Sequence, residues 1–396
     1  MKKFDLNNFD YQAFMNSDEP QFDADFESGS LGSMTKLGKN WYHINLRNDT
    51  WYNFCFRVKG CKGKEIIFEF SCDNLLHELE NEGRYRWLFN DGKYVNPLVS
   101  YDGESWQKIG NIEKIHTFIG KYRFSHFFTE DEAYICHQVP YTYTKLIKWI
   151  KSLENAPCVD TEIIGYTRNG VAEPAITLSN VKGNGQMVVI IGREDADETG
   201  GSFGIEGLVD YIMNTRSDLL DKFIFKIVPM VGIEGAICGA CHSAGYGYSG
   251  FQWHKEKAPA EIRNVKDAIK RWVDEGNNLV MAGKLHGATN PHVNVGLDDI
   301  MGCDENMCNL LRKGISEYFN GEWQPGSWGP NNSFLLGKPF PAMNRPEGYF
   351  ERYIVDEYGV KNVFGLHIQE GYPETAFEGG RGLMQGVAEF LDTLTK

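Results

Sequence analysis

From residue 141 onward the chain alternates between two periods, and that alternation constrains its fold more than any other feature. Tyr143 to Leu153 sets Leu146, Ile147, Trp149, Ile150 and Leu153 close to one helical face. Glu162–Tyr166, Met187–Ile191, Phe223–Val228, Leu279–Met281 and Val363–Ile368 are short apolar runs that read as buried strands. Between and after them come helical stretches near Gly204–Met213 and Ala260–Glu275, and a last helix ending in Phe390–Leu394. Strands that are apolar on both faces must be covered on both faces, which predicts a mixed, mostly parallel sheet between layers of helix.

Ahead of this region the texture differs. Trp41–Ile44, Trp51–Phe54 and Ile66–Phe70 are aromatic and β-branched runs separated by turn formers, and no convincing helical period precedes Tyr141. Asp102-Gly103 marks a hairpin within Val99–Trp106. The spacing predicts an N-terminal antiparallel β-sandwich over 1–137, followed by an α/β domain over 138–396. Two domains also suit 396 residues, too many for one ordinary core.

A formal net charge of −14 disfavours nucleic acid and anionic membrane surfaces as partners, since both are held through clustered Lys and Arg. The start lacks the apolar segment of a secretory signal, and no stretch is apolar enough for a bilayer span. Nine scattered cysteines fit reduced thiols in a cytoplasmic protein. Cys238-x-x-Cys241 and Cys303-x4-Cys308 do not make a zinc ribbon, because a second C-x-x-C is missing; buried thiols are the better reading.

In open α/β sheets, chemistry gathers beyond the carboxyl ends of the strands. Three such edges carry polar residues: Glu194, Asp195, Asp197 and Glu198 after Ile191; His286 after Leu279–Met281; Gln369-Glu370 after Ile368. Asp195 and Glu198, separated by two residues, can turn to one side and reach one cation, and a histidine from a distant strand completes three ligands with a fourth place for water, the layout of catalytic zinc. The competing use for these acids is as charges at the start of the next helix. The glycine-rich stretch from Gly235 to Gly250 reads as a loop lining the cleft, with Tyr246 and Tyr248 available for stacking against a sugar or peptide.

Several stretches, in order, resemble the zinc carboxypeptidase family, especially its cytosolic-carboxypeptidase-like branch. They are Val139–Leu146, Ile191–Glu198 with Glu206–Tyr211, Lys226–Met230, and Leu285–Gly287 with Asn294-Val295. The resemblance implies a β-sandwich joined to a peptidase domain, and zinc held by Asp195, Glu198 and His286. The family's His-x-x-Glu stands here as Asp195-Ala-Asp-Glu198, so aspartate replaces the histidine; such a harder, more anionic site lets another divalent cation such as Mg or Mn compete.

The implied general base is a glutamate ending the last strand, Glu370, with Glu374 its competitor and otherwise a substrate-side residue. His242 stands where the family keeps a carbonyl-polarising arginine, and Gly250-Phe251 where it keeps an Asn-Arg pair that grips a terminal carboxylate. The expectation is a metallohydrolase cutting a peptide, isopeptide or peptidoglycan-type amide with altered specificity. Its partner would be a small peptide, a modified amino acid or a glycan-linked substrate. The alternative is a catalytically silent relative that binds a ligand in the old cleft.

Overall fold

The computed structural model describes residues 19–47, 50, 53–71, 97–110, 112–116, 121–241, 252–288, 305–318, 347–369 and 373–395. The N-terminal part forms two five-stranded sheets. One runs in the order Gln21–Asp23, Cys55–Lys59, Glu132–Cys136, Leu98–Ser100, Gln107–Lys108; the other in the order Ser33–Gly38, Trp41–Asn45, Glu65–Ser71, Lys121–Phe127, Glu113–His116. Strand Trp41–Asn45 alternates half-buried with buried residues, the mark of a sheet with one face on a core. That core is aromatic and draws on both sheets, with Tyr42, Phe68, Phe70 and Phe124 from one and Phe56, Val58 and Ile135 from the other.

Two expectations are corrected here. Pairing is antiparallel throughout these sheets except between Trp41–Asn45 and Glu65–Ser71, which run parallel. The cysteines are not all free: Cys55 and Cys136 face each other across neighbouring strands, 4.0 Å apart at Cα, and are joined by a disulfide. Of the run expected at Trp51–Phe54, Trp51 and Tyr52 lie outside the described residues, and the strand begins at Cys55. The hairpin does turn at Asp102-Gly103: Asp102 accepts from the amides of Glu104 and Ser105, and Gly103 takes a φ of 76°.

The second part is a six-stranded mixed sheet in the order Val159–Tyr166, Ala172–Leu178, Phe223–Val228, Gln186–Gly192, Asn278–Ala288, Val363–Gln369. The last four are mutually parallel and the first two join antiparallel at one edge. Successive residues of Gln186–Gly192 enter different cores. Val188 and Ile190 pack towards helices Thr199–Asn214 and Pro373–Leu394, while Met187, Val189 and Ile191 pack towards helices Ala260–Asp274 and Phe350–Tyr358. Burial on both faces explains why this strand is continuously apolar.

Glycine lets the two helices of the first layer meet backbone to backbone. A Cβ at Gly380 would sit 1.9 Å from the Gly204 carbonyl oxygen, and one at Gly207 equally close, at 1.9 Å, to that of Phe377. The short helix Ile233–Cys238 bridges the two parts of the chain. Its final carbonyls are satisfied from connecting segments of the N-terminal part: the Ser28 hydroxyl donates to Ala236 O at 2.9 Å, the Ser28 amide to Ile237 O at 2.9 Å, and Arg47 Nη1 to Cys238 O at 2.5 Å.

Candidate metal centre

Strand Gln186–Gly192 delivers the chain to the sheet's carboxyl edge, and the next six residues fold into a tight buried loop before helix Thr199–Asn214. Arg193 shapes it. It adopts a φ of 53°, unusual for a residue with a side chain, and its buried guanidinium holds Ala196 O through Nε (3.0 Å) and Nη2 (2.7 Å) and Tyr141 O through Nη1 (2.5 Å). The Ala196 amide donates to Cys241 O at 2.9 Å, and the Gly232 amide to Arg193 O at 2.9 Å. Asp195 and Glu198 are thereby turned inward to face the neighbouring strand Asn278–Ala288, whose Leu285 is paired with Gly192.

In that strand Leu285 enters the core while Lys284 and His286 share the opposite face. Asp195, Glu198 and His286 present ligand atoms that all lie within 4.8 Å of one another. His286 Nδ1 is 2.7 Å from Glu198 Oε2 and 3.4 Å from Asp195 Oδ2, and the Gly287 amide donates to Glu198 Oε2 at 3.0 Å. Both Asp195 oxygens are buried and neither has a hydrogen bond. The helix-start alternative does not describe Glu198: it is the N-cap residue, yet its carboxylate takes no bond from the first turn.

The electrostatics are those of a crowded anionic pocket. Burial raises Glu198 to about 8, and the neighbouring Asp195 and Asp197 add to this against the pull of His286. Burial and then Asp195 push Asp197 up to about 6, while Cys241 donates to it. Burial works to raise Glu194 as well, but Lys284 and His286 outweigh it and hold the group at about 2. For His286 burial and Lys284 oppose a charged ring, but Glu198, Asp195 and Glu194 outweigh them, so its pKa moves well upward. Oxygen and imidazole donors, a surplus of buried negative charge and two carboxylate oxygens lacking donors suit a divalent cation.

The remaining expected residues are less informative. Glu374 is exposed in the first turn of helix Pro373–Leu394. Glu370, His242, Tyr246 and Tyr248 lie outside the described residues, as does Cys303. Cys238 and Cys241 are free thiols, with Cys241 buried against Asp197. Glu194, Lys284 and Glu351 form a buried ion-pair chain beside His286 that sequence reasoning missed, beyond noting Glu194 as an acid of unassigned role. A lysine amid the apolar run 279–285 was the signal for it.

No family model matches the chain. It is 31% identical over 305 residues to cytosolic carboxypeptidase 3 of Bos taurus, covering 68% of this chain and 29% of the relative. Against human cytosolic carboxypeptidase 2 it is 27% identical over 304 residues, covering 67% and 32%. The chain thus spans less than a third of the length of these relatives. Among solved structures, a metallo-carboxypeptidase from Burkholderia cenocepacia superposes with a TM-score of 0.74 at 16% identity, over 95% of this chain and 100% of that one.

The chain belongs to the zinc carboxypeptidase family. Its sequence matches fall on the cytosolic carboxypeptidases. The carboxypeptidase fold extends over nearly its whole length, since a metallo-carboxypeptidase from Pseudomonas aeruginosa, solved with (2-guanidinoethylmercapto)succinic acid, also superposes over 94% of this chain and 99% of its own, with a TM-score of 0.73 at 16% identity. Among the described residues, no helix of this carboxypeptidase relative is long and apolar enough to cross a membrane.

Proposed function

We propose that this chain is a metal-dependent hydrolase of an amide bond, in a peptide, an isopeptide or a peptidoglycan-type link, with Asp195, Glu198 and His286 holding zinc or a similar divalent ion. The observation that carries the reading is the buried convergence of these three groups, with both Asp195 oxygens lacking a hydrogen bond. When bound, such an ion supplies Lewis acidity and lowers the pKa of water. The chain's own residues orient and exclude. Arg193 fixes the loop, the Gly287 amide aims the Glu198 carboxylate, and burial keeps bulk water from the ligands.

In this proposal Glu370 moves the proton between water and the leaving group, with Glu374 taking that part if Glu370 does not; Glu374 otherwise contacts substrate alongside Tyr246 and Tyr248. His242 takes over, in part, the carbonyl-polarising role of the arginine that the family keeps there. With Gly250-Phe251 in place of a carboxylate-gripping Asn-Arg pair, the substrate is not recognised by a free C-terminal carboxylate. A small peptide, a modified amino acid or a glycan-linked amide fits that specificity. The same reading divides the chain into a sandwich domain, 1–137, and a catalytic domain, 138–396, and places it in the cytoplasm.

Metal analysis of the purified chain tests this. Stoichiometric zinc that disappears in Asp195→Ala and in His286→Ala supports the hydrolase; a chain that takes up no divalent ion in excess zinc overturns it. Loss of turnover with metal retained in Glu370→Gln assigns the base, and full turnover there moves the role to Glu374. A second reading, a silent relative that binds a ligand, is favoured by one contact. His286 Nδ1 lies 2.7 Å from Glu198 Oε2, so a proton on that nitrogen satisfies the pocket in place of a cation.

A further inference from the structure

Glu194 is 1% exposed and points away from the cation position, towards the far side of the histidine. Its Oε2 lies 3.3 Å from His286 Nε2 and 3.2 Å from Lys284 Nζ, and its Oε1 accepts from Trp253 Nε1. Lys284 Nζ in turn lies 3.2 Å from Glu351 Oε2 and sits over the Tyr349 ring at 5.3 Å. Lys284 and Glu351 are 2% and 0% exposed. A continuous buried chain therefore runs from helix Phe350–Tyr358 through the strand to the imidazole.

We infer that Glu194 is a positioning residue that fixes the ring and the tautomer of His286, and that Lys284 and Glu351 hold Glu194 in that place. A neutral imidazole carries one N–H, and its position follows the acceptor it finds. Glu194 takes the hydrogen on Nε2, so Nδ1, facing Asp195 and Glu198, offers a lone pair to a cation. The other tautomer would set a donor between those two carboxylates and close the site. A lone buried carboxylate would resist staying charged; Lys284 compensates it, and Glu351 keeps the lysine from swinging away. Removing a carboxylate behind a ligating histidine generally costs about 10–100-fold in metal affinity.

The inference rests on the metal-binding reading above, and the test separates the two. The whole chain is titrated with Co²⁺, followed by visible absorption and thermal unfolding, alongside Glu194→Met and Glu351→Gln; the zinc-loaded chain with ¹⁵N-labelled histidine is examined by NMR. The expected result is an Nε2–H resonance for His286 with Nδ1 bound to metal, and Co²⁺ affinity lowered about 10–100-fold in Glu194→Met. A smaller loss in the same direction is expected in Glu351→Gln. Metal on Nε2, or parent affinity in Glu194→Met whatever its melting temperature, overturns the inference and leaves the metal site standing. If Glu194→Met does not fold, Glu351→Gln decides: unchanged Co²⁺ affinity there overturns it. A parent chain that binds no Co²⁺ overturns both.

Discussion

Asp195 keeps two buried carboxylate oxygens without a hydrogen bond, and burying such a group costs stability. Two effects of Asp195→Ala are therefore expected in thermal unfolding: the metal-free variant melts no lower than the parent, and the rise in Tm that zinc gives the parent disappears. A second buried acid lies on strand Ala172–Leu178. Glu173 is fully buried, accepts from Asn264 Nδ2 at 2.9 Å, and is raised well above its ordinary 4.5, first by burial and then by Glu261 against the Asn264 bond. A carboxyl group raised on folding holds its proton more tightly in the folded chain, so its stabilising share is full below pH 4.5 and is lost as pH climbs towards the folded value. Glu173→Gln should flatten that decline and raise stability by about 1–3 kcal/mol at pH 8, as read from denaturant curves at pH 5 and pH 8. Asp195, Glu198 and His286 were legible because polar groups just past apolar strands are conspicuous. Lys284 and Glu351 were not, because their meaning lies in partners 90 and 67 residues away.

Elements with a strong period were readable and weakly patterned ones were not. Helix Tyr143–Leu153 and strand Phe223–Val228 have the expected bounds, whereas helix Thr199–Asn214 begins five residues before the expected Gly204, because its first turn is glycine-rich. Strand Ala172–Leu178 went unread because of Pro174, which is tolerated where the partner strand bulges between Ile163 and Gly165 and beyond the three-residue pairing with Phe223–Val228. Helix Ile233–Cys238 is too short and glycine-broken to show a period, and helices Glu305–Tyr318 and Phe350–Tyr358 were also missed. The glycine crossing of helices Thr199–Asn214 and Pro373–Leu394 has a direct test. Gly380→Ala puts a methyl against backbone with nowhere to relax, and should cost about 1–3 kcal/mol in denaturant unfolding. The first helix starts at the Glu198 cap, so zinc affinity should fall with it in isothermal titration.

Across the whole molecule, the N-terminal part is structurally joined to the loop of the candidate metal centre rather than hung beside it. Ser28 and Arg47 close the carboxyl end of helix Ile233–Cys238, and its amino end, at Gly232, is bonded to Arg193. The double variant Ser28→Ala, Arg47→Ala should lose about 1–3 kcal/mol in denaturant unfolding and bind zinc less tightly, although neither side chain is near His286 in the chain. This coupling was invisible in the sequence, where residues 28 and 236 are 208 positions apart. The Arg193 guanidinium has a practical corollary for anyone wishing to re-engineer the pocket. Its forked grip on Ala196 O and Tyr141 O is made by a loop residue outside the proposed coordination set, so shape and donor chemistry are written in separate letters. A library that randomises positions 195 and 198 while sparing 193 would vary the ion without redrawing the cradle.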